Sequence, residues 1–334
     1  MANPTRKEEP VLAADIGGTK TVVGAFERGR TRPRSILVKT YSSGSFRSFE
    51  QIIMDFLSHT PIIPKAVCIG IAGPVLGGKS KATNLPWTVS QNRLSRRFEW
   101  KAVSLYNDLV TTAMAIPLLR RSEVVTINAG RVRPKGNVAL VAPGTGLGQA
   151  TLIYYNGHYV PMPSEGGHCD FAPTSNDQAE LWQYLHEKYG HVSLERLLSG
   201  PGMINIYSWL KDAGKYNEPK WLSEKLSTDD RAKAITEAAL SRGTPICKAT
   251  LRLFASILGS VCGNLALTTM ASGGVYLGGG IPPKILPFLQ DPTFFEAFTE
   301  KGRFKQLLSS IPVKVITNQN ASLLGAAHMA FIGL

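Results

Sequence analysis

Cysteine is scarce. Cys68, Cys169, Cys247 and Cys262 are the only four in 334 residues, and no two form a Cys-x-Cys or Cys-x-x-Cys pair. That excludes a disulfide-stapled secreted scaffold and a cysteine-built zinc domain. Their apolar or small-residue surroundings suit buried free thiols in a reducing compartment, so a cytoplasmic location is expected. Long hydrophobic runs are missing too: none approaches the ~18 residues that a membrane span needs, which implies a soluble protein with no membrane partner. The opening Met-Ala-Asn-Pro-Thr-Arg-Lys-Glu-Glu-Pro has neither an apolar core nor a small-residue cleavage pattern. It reads as a short disordered lead-in rather than a signal peptide.

Acidic residues are few, 24 Asp and Glu against 37 Lys and Arg, for a net charge of +13. Such a balance raises the question of a nucleic-acid partner. The basic residues are spread along the chain, however, and their densest groups, Arg28/Arg30/Arg32/Arg34, Arg93/Arg96/Arg97 and Arg131/Arg133/Lys135, fall between expected elements. Zinc-finger spacing, RNA-binding aromatic motifs and a helix-turn-helix signal are all absent. The groups read as solvated loops, and no nucleic-acid partner is expected.

Against these absences stand two glycine-threonine loops, Asp15-Ile-Gly-Gly-Thr-Lys20 and Pro143-Gly-Thr-Gly-Leu-Gly148. Each lies between two short β-like runs, and the second resembles the first, so an internal duplication is the simplest account. Glycines let backbone N–H groups turn toward one anion, and Thr19 and Thr145 add hydroxyl donors. One such loop alone would be no more than a hairpin turn. Two matched loops, one preceded by an acid able to hold Mg²⁺ through water or to align a phosphate, point to a nucleotide. Neither is a Walker A loop or a G-x-G-x-x-G dinucleotide fingerprint, and the protein-kinase signatures are absent.

The rest of the chain reads as alternating strands and helices, hence an α/β protein. Val11 to Phe26 is a hairpin, Ser35 to Tyr41 a third strand, Phe46 to His59 a helix and Ala66 to Ala72 a strand. Ala102 to Tyr106 is a strand ending at Asn107-Asp108, and Val110 to Arg120 is helical. Strands return at Glu123 to Asn128 and Asn137 to Ala142. From Asn176 to Met270 the pattern is mainly helical, with a long apolar stretch from Ile246 to Thr269. A strand from Gly274 to Leu277, the run Gly278-Gly-Gly280, a strand from Pro312 to Thr317 and a helix from Asn320 to Phe331 complete it. With 334 residues, two domains are expected, because a single core stops growing near ~250 residues.

Three groups of side chains carry candidate chemistry. Asp108, at a strand-to-helix junction, is either a helix N-cap or a base for a hydroxyl that attacks a phosphoryl group, with Asn107 orienting that hydroxyl. Glu165 and His168, in Glu165-Gly-Gly-His168 among turn formers, are placed to grip adjacent sugar hydroxyls; metal ligation is the weaker alternative. Glu195, in His191 to Gly200, reads by spacing alone as an exposed helix acid.

Together these residues resemble the bacterial-type glucokinases, the zinc-free hexokinase-related group of the sugar kinase, heat-shock protein and actin superfamily. The matching blocks run in order: Ala14-Asp-Ile-Gly-Gly-Thr19, Asn107-Asp108, Ala142 to Gly148, Ser164 to Pro173, His191 to Gly202 and Gly278-Gly-Gly-Ile281. The zinc signature of the related repressor and kinase family, Cys-x-Cys-Gly-x-x-Gly-Cys, is absent after His168, where this chain reads Cys-Asp-Phe-Ala-Pro. The resemblance implies a duplicated ribonuclease H-like fold of the actin and hexokinase type, two-lobed with a cleft. Residues 1–118 completed by 311–334 would form a small α/β domain, and 119–310 a larger α+β domain. It further implies ATP-dependent phosphorylation of glucose, with Asp108 as base and Asn107, Glu165, His168 and Glu195 on the other sugar hydroxyls. Ala14, Asp15, Ile16, Gly17, Gly18, Thr19, Gly144, Thr145, Gly279 and Gly280 would hold ATP, Mg²⁺ would bridge its phosphates, and the chain would form a homodimer. A kinase for another hexose or amino sugar, or a sugar sensor without catalysis, are the alternatives on the same fold.

Overall fold

The computed structural model describes residues 9–82, 85–228 and 230–333; most of the expected lead-in, residues 1–8, lies outside them. In chain order the first elements are β1 (Val11–Ile16), β2 (Lys20–Glu27), β3 (Arg34–Ser42), α1 (Phe49–His59), β4 (Val67–Ile71), β5 (Lys79–Lys81), β6 (Thr88–Ser90), α2 (Gln91–Phe98), β7 (Val103–Asn107) and α3 (Asp108–Ala115). Then come β8 (Val124–Asn128), β9 (Val138–Pro143), β10 (Leu147–Tyr155), β11 (His158–Ser164), α4 (Asn176–Tyr189), α5 (Gly200–Asp212), α6 (Lys220–Thr228), α7 (Arg231–Ser241) and α8 (Pro245–Thr269). The last are β12 (Gly274–Leu277), α9 (Leu286–Leu289), α10 (Pro292–Thr299), α11 (Lys305–Ser309), β13 (Val313–Ile316) and α12 (Ala321–Ile332). The chain divides into two compact units, Met1–Glu123 with Asn318–Leu334, and Val124–Thr317.

In the first unit one sheet runs β3-β2-β1-β4-β7. Its first three strands form an antiparallel meander, while β4 and β7 continue it in parallel with β1. Strand alternation sorts β1 by face. Leu12, Ala14 and Ile16 join Phe49, Ile52, Ile53 and Phe56 of α1 in one buried cluster. Asp15 faces the other way, where α12 packs on β1 and β4 and α3 packs on α12. Truncating a core aromatic such as Phe56 to Ala would cost ~3–5 kcal/mol.

The second unit repeats the plan. Its sheet runs β11-β10-β9-β12-β13-β8, again an antiparallel meander followed by strands parallel to β9, with antiparallel β8 added at the far edge. The duplication suggested by the glycine loops is therefore a duplication of strand order as well. A helical layer surrounds α8, which packs against α5, α7 and α10.

Four local expectations need correcting. The strand expected from Pro312 to Thr317, read as part of the C-terminal return to the small domain, is β13 of the second sheet, with Val313 and Val315 wholly buried beside β12. The helix expected over Val110 to Arg120 covers Asp108–Ala115 and tightens into a 3₁₀ turn at Ile116–Leu118, because Pro117 cannot donate to a continuing α-helical ladder. Contrary to the sequence reading, α8 is long and apolar enough to cross a membrane by length and composition; most of it is buried inside its own unit, as a core helix. Cys169 is exposed, since it ends the 3₁₀ turn Gly166–His168 on a surface loop, whereas Cys68, Cys247 and Cys262 are buried.

The basic groups are also less simply solvated than expected. Arg32 pairs with Glu123 at 2.7 Å, and Arg93 of α2 pairs with Glu50 of α1 at 2.5 Å, so two of these arginines tie segments of the first unit together.

Candidate active site

Both glycine loops close as hairpin turns by the same device. The Gly17 N–H donates to Lys20 O at 2.9 Å, and the Gly144 N–H donates to Gly146 O at 2.8 Å. Those two donors hold the turns together, which leaves the apex residues of each loop, Gly18 with Thr19 and Thr145 with Gly146, as the part able to face an anion. Behind the first loop, Ser43 is a brace the sequence reading missed. Its N–H donates to Thr19 O at 2.9 Å, and its hydroxyl lies 3.0 Å from Gly17 O and 2.9 Å from Thr21 Oγ1. A lone serine 26 residues from Gly17 carries no sequence signal of this contact.

Ala14 and Ile16 are buried in the core, so of the first block only Asp15 and the loop itself present polar groups to a ligand. Asp15 accepts a hydrogen bond from the Ser322 hydroxyl at 2.8 Å. Burial pushes its carboxyl above the ordinary aspartate range, opposed by that hydroxyl and by the Lys20 charge.

At the end of β7 the cap is settled in favour of the amide. Asn107 Oδ1 accepts from the Leu109 N–H at 2.9 Å, while Asn107 Nδ2 donates to Gly73 O at 3.1 Å. Asp108 is thus the first residue of α3 rather than its N-cap. A carboxylate in the first helical turn is favoured by the helix dipole.

In the second unit the structure brings together four segments. Glu195, in the 3₁₀ turn Leu194–Arg196, reaches the second glycine loop: its Oε2 accepts from the Leu147 N–H at 2.9 Å. A Cβ on Gly146 would sit 2.5 Å from that oxygen, so the carboxylate fits only because position 146 is bare. The Glu195 turn is held in turn by Leu194, whose N–H donates to Cys169 O at 2.9 Å. Glu165 and His168 flank Gly166-Gly167, both exposed. A Cβ on Gly167 would meet Leu147 O at 2.0 Å, which explains the Gly-Gly pair between them: it lets the sugar-loop candidate lie directly on β10.

Gly278–Gly280 follow β12 and run beside the same loop. The Gly278 N–H donates to Val141 O at 2.9 Å. Gly279 has φ +80 and a Cβ there would stand 2.4 Å from Pro143 O, so this position needs glycine for both conformation and space. The sequence reading also missed the start of α5: the Gly200 N–H donates to Gly144 O at 2.8 Å, and Ser199 caps the helix through the Gly202 N–H at 3.0 Å. The block His191 to Gly202 held the signal, a Ser-Gly-Pro-Gly helix start. Among the described residues no group of three or more His, Cys, Asp or Glu is placed to hold a metal ion.

Two hairpins with small-residue turns, equivalent by topology and each backed by an acid, on duplicated sheets of this strand order, mark the duplicated ribonuclease H-like fold of the superfamily that holds sugar kinases, heat-shock proteins and actins. The comparisons narrow it further. A family model described as Glucokinase matches residues 12–331. The glucokinase of Nostoc sp. is 36% identical over 96% of this chain and 98% of its own length, and that of Yersinia enterocolitica 37% identical over 94% of each. Among solved structures, a glucokinase from an Antarctic psychrotroph superposes with a TM-score of 0.87 at 32% identity, covering 97% of this chain and 99% of that one. A ROK family glucokinase from Streptomyces griseus, in complex with glucose and AMPPNP, has a TM-score of 0.63 at 20% identity over 97% and 99%, and so shares the fold. The chain belongs to the glucokinase family, enzymes that phosphorylate glucose with ATP as the phosphate donor.

Proposed function

We propose that this chain transfers the γ-phosphoryl group of Mg-ATP to the 6-hydroxyl of glucose, with Asp108 as the general base. Asp108 takes the proton of the 6-hydroxyl as that oxygen forms its bond to the γ-phosphorus; the bond from phosphorus to the β,γ-bridging oxygen breaks, and ADP leaves with the electron pair. The observation that carries this reading is the Asn107 cap, which starts the helix through the amide and sets the Asp108 carboxylate at the first helical position beside it.

The remaining sugar hydroxyls are assigned to Asn107, Glu165, His168 and Glu195. Glu195 would use Oε1 for this, since Oε2 already accepts from Leu147. Asp15 to Thr19, Gly144, Thr145, Gly279 and Gly280 are assigned to ATP. Mg²⁺ suits this donor set, because an ion carried by phosphates keeps several waters and needs only one or two carboxylates, here Asp15. When bound, Mg²⁺ would neutralise phosphate charge. The chain's own part is to orient the two substrates and to accept the proton, the positioned base supplying ~10²–10⁴-fold of the acceleration. A cytoplasmic location and a homodimer complete the proposal.

The test is initial-rate phosphorylation of glucose, mannose, fructose and N-acetylglucosamine by Mg-ATP, for the wild type and Asp108→Ala. Glucose turnover that falls by ~10²–10⁴ in the variant, with glucose binding retained, is expected. Normal turnover by Asp108→Ala would sink the assignment.

A further inference from the structure

Two hydroxyls, those of Ser322 and Thr111, lie in succession between the Asp15 carboxylate and the first turn of α3. Ser322 Oγ stands 2.8 Å from Asp15 Oδ1, Thr111 Oγ1 stands 2.8 Å from Ser322 Oγ, and Thr111 Oγ1 stands 2.9 Å from the Asp108 carbonyl oxygen. Thr111 is wholly buried and Ser322 nearly so, with 0% and 7% of their surfaces exposed, so the hydroxyls meet each other rather than water. The line joins three elements: β1 through Asp15, α12 through Ser322, and the first turn of α3 through Thr111 and Asp108.

The surroundings are shaped to admit it. Gly70 of β4 lies under the hydroxyl pair, where a Cβ would stand 2.6 Å from Thr111 Oγ1 and 2.9 Å from Ser322 Oγ. Gly325 lets α12 press against α3, since a Cβ there would come within 1.7 Å of Thr111 O. Two bare positions on separate elements thus make room for one hydrogen-bonded line, which packing alone does not require. An apolar pair such as Val and Ala at 111 and 322 would fill similar volume without tying anything together.

We propose that Thr111 and Ser322 are positioning residues that fix the spacing between Asp15 and the first turn of α3, and so hold the base helix in register with the phosphate-side carboxylate. The inference rests on the assignment of Asp108 as base and Asp15 to the phosphates. Phosphoryl transfer needs its reacting atoms within roughly 3–3.5 Å, so a small drift of α3 relative to β1 lowers turnover while leaving each substrate's own contacts in place. Ser322 spends its one proton on the Asp15 carboxylate, the strongest of these bonds, so the link to α3 is made when Thr111 turns its own proton to Ser322 Oγ rather than to the Asp108 carbonyl. Thr111 passes the constraint on to α3.

The experiment compares Thr111→Val, Ser322→Ala, the double variant and the conservative Thr111→Ser, with Asp108→Ala alongside, reading kcat, KM for glucose, KM for ATP and Tm. Each single variant is expected to lose about tenfold in kcat, the size of one buried hydrogen bond to a charged network, with KM for glucose within about twofold. The double variant should be little worse than either single, because one break already opens the line, and Thr111→Ser should keep most of the activity. Wild-type kcat in both single variants, or losses that multiply in the double variant, overturns the proposal while an inactive Asp108→Ala leaves the base assignment standing. Loss of kcat that Thr111→Ser fails to restore assigns Thr111 a packing role and also overturns it. An active Asp108→Ala removes the base assignment itself, and the inference with it.

Discussion

The two glycine loops occupy equivalent places in duplicated sheets, yet they are supported differently. The first, between β1 and β2, is backed by its own strand: Asp15 precedes the turn, and Ser43 and Ser322 bond to it from elsewhere in the first unit. The second, between β9 and β10, has no acid before it, Ala142 standing where Asp15 would be. Its carboxylate comes instead from Glu195, 48 positions along the chain, bonding back to the Leu147 N–H. In the proposal the first loop's acid has no sugar role, whereas the second loop's acid is assigned to both the loop and the sugar, so sugar binding and loop geometry would share one side chain in the second half.

This contrast predicts unequal tolerance of a methyl group. Gly146→Ala puts a Cβ 2.5 Å from Glu195 Oε2, displacing a short carboxylate that must keep its bond to Leu147, whereas Gly17→Ala meets only Lys20 O at 3.0 Å. We expect Gly146→Ala to lower kcat/KM by on the order of 10²-fold, as a misplacement of about 1 Å does, and Gly17→Ala to cost several times less. Equal losses in steady-state assays would mean the loops are supported alike.

Glu195→Ala is the next largest effect. It leaves the Leu147 N–H without its carboxylate partner, a loss of about 1.5–3 kcal/mol for a hydrogen bond to a charged group, or roughly 10- to 100-fold in affinity. Both KM for glucose and KM for ATP should rise, because the proposal gives one residue both roles. A change in KM for glucose alone would separate the two roles and remove the coupling argued above.

How far this was legible in the sequence follows the same physics. Each hairpin announced itself through local alternation around a small-residue turn, and the helix and strand order was readable for the same reason. Asn107 and Asp108 were not separable by sequence, since both residue types cap helices well and only the Leu109 N–H chooses between them. Thr111, Ser322 and Ser43 were invisible: their bonds span 211, 307 and 26 positions, and a single hydroxyl carries no periodicity. The placement of β13 was missed because parallel neighbours are joined through long crossovers, so chain order says little about which sheet a short apolar strand enters. The resemblance supplied Glu195 as a sugar ligand; its grip on the second loop is a property of the folded chain.

A stability measurement sharpens the contrast further. Burial raises the Asp15 carboxyl above its unfolded value, so between the two values the folded chain holds a proton that the unfolded chain has released. By linkage, stability falls as pH rises from the ordinary aspartate range through the raised value, and it is regained as the medium is acidified toward full protonation in both states. Asp15→Asn removes that penalty. We expect its Tm to exceed the wild type's at neutral pH by an amount that shrinks toward acid, while turnover drops, the trade expected where an active site is held against stability. Glu195→Gln should bring no such gain, because it weakens a bond to a backbone N–H. An Asp15→Asn chain no more stable than the wild type at pH 7 would break the distinction.

The mildest test uses the thiols that mark the two regions. Cys68 lies on β4, opposite Ala13 of the strand that leads into the first loop, and burial pushes its thiol up to about 12. Cys169 follows His168 directly and is exposed. Thiolate is the reactive form, so a neutral aromatic disulfide reagent should modify Cys169 quickly in the native chain and leave Cys68, Cys247 and Cys262 to react only on unfolding. One fast thiol out of four, with KM for glucose raised after labelling, is the expected result, because the adduct sits beside His168 and on the segment that holds the Glu195 turn. More than one fast thiol would show that the interior beside the first loop opens readily, and the view of that loop as the more firmly backed of the two would fail.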